Sequence, residues 1–169
     1  MKTKAVWGGI LTAAALVLVS TQANAQAVDQ KTVTVSATVN AKAKLTLGST
    51  TATFNDADPD VTPLLTATAA ISVDVKTRTA AANTVTLTVQ ADGALTNAAS
   101  DTIAINQLTW TASGTGFAAG TMSSGAAQTL GSFAGGGNAT GNQTYQLVNS
   151  WNYRTGTYSA IITYTLTAP

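Results

Sequence analysis

The sequence predicts an all-β protein, a sandwich or barrel of about eight short strands. Three observations predict it. In residues 156–169, Tyr158, Ala160, Ile162, Tyr164 and Leu166 alternate with Ser159, Thr163, Thr165 and Thr167, the period of a strand with one dry and one wet face. Only Ile161 interrupts the polar row. A second alternation, residues 32–39, sets Val33, Val35, Ala37 and Val39 on one face. Finally, threonine is abundant, its branched Cβ suits a pleated surface, and apolar spacing of three and four is never sustained after the first segment.

That first segment has a different character. Lys2 and Lys4 precede an apolar run over residues 5–19, and Ala23, Asn24 and Ala25 stand just before Gln26. A basic start, an apolar centre and an A-x-A site predict a signal peptide over residues 1–25, cleaved after Ala25. The apolar run is short for a bilayer, which takes ~20 residues, so no membrane span is expected once the signal is removed. The remainder, residues 26–169, is expected to form one exported domain.

Composition narrows the chemistry. Lys2 and Lys4 are two of eight basic residues; without them six face seven acidic ones, a net charge of −1. No run of Lys or Arg survives, which argues against nucleic acid and anionic membrane as partners. Cysteine is absent although export would permit disulfides, so stability must come from the core and the ladders. Histidine and glutamate are absent too, which removes the commonest general base and the commonest nitrogen metal ligand.

Taken in order, residues 32–39 predict the first strand, and residues 42–47 resume extended structure with Leu45 and Leu47 inward. Residues 50–54 fit a short strand. Asn55, Asp56, Asp58, Pro59 and Asp60 predict a loop that runs to Pro63, because Pro and Asx residues break a central strand. Ile71, Val73 and Val75, then Val85, Leu87 and Val89, predict the central strands, joined by residues 77–83. Asp92-Gly93 marks a turn. Residues 102–105 and 107–111 follow, the latter with Leu108 and Trp110 on one face. The glycine-rich runs 114–125 and 135–141 read as loops, and residues 127–133 and 143–148 as edge or hairpin strands. Residues 149–154 turn into the terminal strand.

Three groups of residues are candidates for chemistry. Asn55, Asp56, Asp58 and Asp60 space hard oxygen ligands as a calcium loop does, but no Glu stands at the twelfth position and Pro59 replaces a flexible glycine. The simpler reading is a solvated turn. No serine nucleophile has a base and an orienting partner, so neither an enzyme nor a cofactor is expected. Trp151, Tyr153 and Arg154, with Tyr158, read either as an aromatic platform for a sugar or protein partner, or as rings that close one end of the core.

The two ends together resemble chaperone–usher pilins. Residues 28–40 are similar to the donor-strand region of the cysteine-free class related to colonisation-factor fimbriae. The terminal strand resembles the last strand of pilins, with Gly156 in the place of the glycine that sits 14 residues from the end. It departs at the penultimate position, where many pilins carry Tyr and this chain has Ala168. The resemblance implies an immunoglobulin-like antiparallel β-sandwich that lacks its final strand, completed by the N-terminal segment of a neighbour. Val33, Val35, Ala37 and Val39 would be the donated anchors. Gly156, Tyr158, Ile162, Tyr164 and Leu166 would form the receiving edge. Implied partners are further copies or related surface subunits and a periplasmic chaperone; the implied location is the periplasm, cell surface or fimbrium. A second resemblance, of Trp110-Thr111-Ala112 and Tyr164-Thr165-Leu166 to the paired motifs of WxL-type surface domains, implies a monomeric cell-surface binding module instead.

Overall fold

The computed structural model describes residues 29–169. The expected signal peptide lies outside them. The chain divides into two units, Met1–Ala37 and Thr38–Pro169. In the first, residues 29–37 carry no regular secondary structure and all are exposed. The strand expected over residues 32–39 is therefore not formed within the chain: Val33 and Val35 are 86% and 89% exposed, and Val39 in the second unit 66%. Alternation supplies a face, but a strand also needs a ladder partner for its backbone, and no described residue provides one.

The second unit is an antiparallel β-sandwich. Its strands are, in chain order, β1 (Lys42–Leu47), β2 (Leu64–Thr66), β3 (Ile71–Arg78), β4 (Thr84–Ala91), β5 (Leu95–Thr96) and β6 (Thr102–Ile103). After one turn of 3-10 helix, Ile105–Gln107, come β7 (Leu108–Ser113), β8 (Gly120–Thr121), β9 (Gln128–Ala134), β10 (Gly137–Val148) and β11 (Ile162–Thr167). The larger sheet runs β1-β3-β10-β7-β8, with β2 on β10 beside the start of β3; the smaller runs β11-β4-β9. The hairpin β5–β6 stands apart. Among the described residues no helix is long and apolar enough to cross a membrane.

The central strands lie where strict alternation placed them. Ile71, Val73 and Val75 on β3 are 4%, 0% and 2% exposed, and Val85, Leu87 and Val89 on β4 are all 0%. The turn between them carries the chain from one sheet to the other, so these two apolar rows face each other across the core. Leu108 and Trp110 of β7 join them, the Trp110 indole N–H donating to the Ala118 carbonyl at 2.8 Å.

Five expectations need correction. Residues 137–141 are not loop but the first part of β10, and residues 143–148 are not an edge but its continuation at the middle of the larger sheet. Glycine serves close approach here: a Cβ on Gly141 would lie 2.5 Å from the Ser113 carbonyl oxygen and 2.6 Å from the Phe117 ring. Residues 120–121, inside the other glycine run, form β8 against Trp110 and Thr109. Residues 50–54 form no strand, although Ala52 and Phe54 do turn toward the core. The terminal strand begins at Ile162 rather than Gly156, because Ile161 donates its N–H to the Asp92 carboxylate and Ser159 pairs with Thr96 of the hairpin.

Candidate functional site

β1 ends the larger sheet and β11 ends the smaller one, and the two edges approach each other on one side of the sandwich. Burial falls there. Along β3 and β4 the apolar rows Ile71, Val73, Val75 and Val85, Leu87, Val89 are closed, whereas Leu45 and Leu47 on β1 and Ile162, Tyr164 and Leu166 on β11 are only half-buried. Among the described residues neither edge has a neighbour on its outer side whose side chains would finish the cover. No described strand pairs with the outer edge of β11. The result is a seam with an unpaired backbone ladder and an incompletely covered apolar floor.

Beneath that floor lies a polar group. Gln143 and Tyr145 sit two residues apart on β10 and point inward; Tyr164 reaches them from the opposite sheet. The Tyr164 hydroxyl donates to Gln143 Oε1 and lies 2.8 Å from the Tyr145 hydroxyl. Burial pushes the Tyr145 phenol well above its ordinary range, with the neighbouring Tyr164 adding to the effect, and burial raises Tyr164 as well. Gln143 is fully buried, yet its Nε2 has no hydrogen-bond partner. A desolvated, unpaired amide is costly, so this group holds β11 to the larger sheet less tightly than full satisfaction would allow. Sequence reasoning missed Gln143 and Tyr145. Only their place in the alternation with Leu147 signals that they point inward.

The expected receiving edge keeps its face even where the ladder stops. Tyr158, Ala160, Ile162, Tyr164 and Leu166 are each half-buried, and Ser159, Ile161, Thr163 and Thr165 are exposed. Gly156 lies before the strand with φ 154, and a Cβ there would meet Asn97 Nδ2 at 2.7 Å. Asn97 is itself buried and braces the β5–β6 turn, donating to Asp101 and accepting from the Ala99 and Asp101 amides.

The aromatic group separates. Tyr153 and Tyr158 pack against the core, with burial raising the Tyr153 phenol and the Tyr158 hydroxyl donating to the Arg154 carbonyl. Arg154 pairs with Asp101 at 3.3 Å. Trp151 instead stands 69% exposed, its indole N–H donating to Asp60 at 3.1 Å. The loop through Asp60 is fixed to the same place by Asn149, whose Nδ2 donates to the Ala57 and Thr62 carbonyls. Asp58 closes its turn by accepting the Asp60 amide. Among the described residues no cluster of acidic side chains converges as metal ligands would.

A cleft of about 480 Å³ opens at the far end of the sandwich, between β9 and the β3–β10 pair. Thr77, Phe133, Gly136 and Asn138 are among its lining residues, and no ionisable side chain is. It offers neither acid nor base. No family model matches the sequence, and no curated protein is detectably similar to it.

Proposed function

We propose that this chain is an exported, pilin-like structural subunit with an immunoglobulin-like sandwich, which assembles by inserting its N-terminal segment beside β11 of a neighbour. One observation carries the reading. The chain has an alternating apolar segment with no cover, at Val33, Val35 and Val39, and a sheet edge with the complementary need, at Ile162, Tyr164 and Leu166. Strand addition satisfies both at once: ladder bonds attach the segment, and alternate side chains enter the seam. Burying three valines is worth roughly 5–8 kcal/mol before the entropy of ordering is subtracted. A contact between unlike surfaces repeats without closing, so it yields a fibre.

A second reading has its own observation. Trp151 is a fixed, exposed indole bonded to the Asp60 carboxylate, as a monomeric surface-binding module would present to a carbohydrate or protein. Electron microscopy and unheated gel electrophoresis separate the two. Under strand donation the purified protein forms fibres or stable ladders, and a variant lacking residues 28–39 stays monomeric. Monomers in both, with binding to a glycan or cell surface lost in Trp151→Ala, would establish the module instead.

A further inference from the structure

Asp92-Gly93 joins β4 to the β5–β6 hairpin, and no other Asp or Asn in the chain is followed by glycine. The pair has a chemistry of its own. A glycine nitrogen, with no side chain on the adjoining Cα to obstruct it, reaches the preceding side-chain carboxyl more freely than any other residue's amide. Here the parts lie open. Asp92 is exposed, and a Cβ added to Gly93 would meet nothing within 4 Å. The Gly93 N–H has no acceptor among the described residues, so its nitrogen reacts without breaking a hydrogen bond. The carboxyl is polarised as well as accessible: its Oδ1 accepts the Ile161 N–H at 3.0 Å, which draws electron density from Cγ.

We infer that Asp92-Gly93 is a site of spontaneous aspartate isomerisation, and that the change releases the chain leading into β11. In the first step the Gly93 nitrogen bonds to Cγ of the protonated Asp92 carboxyl. The amide proton and the carboxyl hydroxyl leave together as water, and a cyclic imide remains. Water then adds back at one of its two carbonyls. Addition at Cγ restores aspartate. Addition at the main-chain carbonyl of residue 92 leaves a backbone that runs through Cβ and Cγ, one carbon longer, with the carboxylate now on Cα. The water lost equals the water gained, and no oxidant or other reactant is needed.

The fold places this extra carbon between two anchors of one segment. On one side, Ala91 pairs with Ile162 at the start of β11, and the Asp92 N–H donates to the Ile161 carbonyl at 2.9 Å. On the other side, Thr96 of the hairpin exchanges two bonds with Ser159, at 3.0 and 3.1 Å. Residues 159–161 are therefore tied to both ends of the turn. Lengthening the turn takes the carboxylate off the Ile161 amide and shifts Thr96 relative to Ala91, so the segment loses its fixed register.

Ageing the folded full chain tests this. The protein is held for several weeks at body temperature and neutral pH, and isoaspartate is located in its peptides by enzymatic methylation. It is expected at residue 92. Gly93→Ala should start with the same urea midpoint, since its methyl meets nothing, and should accumulate several-fold less. Asp92→Asn keeps an Oδ1 acceptor for Ile161, loses ammonia in place of water, and should reach the same products sooner. In the aged wild type the Ile161 amide should exchange about 2–10-fold faster, the factor that one hydrogen bond contributes, while amides of the Val85–Val89 row stay unchanged. Absence of isoaspartate at residue 92, or equal accumulation in Gly93→Ala, would overturn the assignment of the site. Isoaspartate at residue 92 with unchanged Ile161 exchange would overturn the coupling to β11.

Discussion

The orphaned amide of Gln143 makes two substitutions in one hydrogen-bonded group behave oppositely. Tyr164→Phe removes the hydroxyl that donates to Gln143 Oε1 and contacts Tyr145. Two buried acceptors or donors then lose a partner, at a cost of about 1–3 kcal/mol for a group left unsatisfied. Gln143→Met keeps the volume while deleting the amide. The two tyrosines, 2.8 Å apart, still satisfy each other, and the unpaired Nε2 disappears. Removing a buried unsatisfied donor recovers up to a similar amount, less at most ~1.5 kcal/mol for imperfect repacking of a near-isosteric side chain. Gln143→Met is therefore expected to be neutral to about 1 kcal/mol stabilising, and Tyr164→Phe to be destabilising by about 2 kcal/mol. In the double variant the cost should fall below that of Tyr164→Phe alone. Urea denaturation at fixed pH measures all four proteins, with the m-value watched for a change in the denatured state. Loss of more than ~1.5 kcal/mol in Gln143→Met would refute the reasoning, since the amide would then be making bonds that contribute to stability.

Three further outcomes follow from the same geometry. Leu87→Ala, at a fully buried position, is expected to cost about 2–5 kcal/mol in urea melts, whereas Val33→Ala, in an exposed segment, should leave the monomer's stability within ~0.5 kcal/mol. Gly141→Ala should destabilise by about 1–3 kcal/mol, because the new methyl meets backbone at Ser113 and the Phe117 ring, and circular dichroism melts would register it. The raised Tyr145 phenol binds its proton more tightly folded than unfolded. Its contribution is complete below the unfolded value near pH 10 and is lost above it, by about 1.4 kcal/mol per pH unit. Urea midpoints should therefore fall as pH climbs past ~10, less steeply in Tyr145→Phe.

The sequence was most legible where side-chain periodicity and backbone pairing coincide. Ile71, Val73 and Val75, like Val85, Leu87 and Val89, alternate without interruption and lie between two neighbours, so face and ladder agree. Elsewhere the face survived and the ladder did not. Tyr158 and Ala160 point as expected, but Asp92 takes the Ile161 amide, a contact 69 residues away that no local pattern encodes. Ala52 and Phe54 pack inward from irregular chain for the same reason. Residues 137–141 were obscured by composition: Gly141 is needed for the close approach of Ser113 and Phe117, and only the folded neighbours reveal that need. The seam was half visible. Leu45 and Leu47 read as inward and β11 as an edge, but that the two edges meet depends on which sheet each strand joins.

The position of β10 has a kinetic consequence. It pairs with β2, β3 and β7, so the larger sheet cannot assemble until residue 148 has left the ribosome, and β4 waits for β11 until residue 167. Such a fold has high contact order: loop closure over tens of residues must precede most of its rewards, which slows folding toward milliseconds or longer. During synthesis the Val85–Val89 row therefore remains without its covering strands until the last residues of the sandwich emerge.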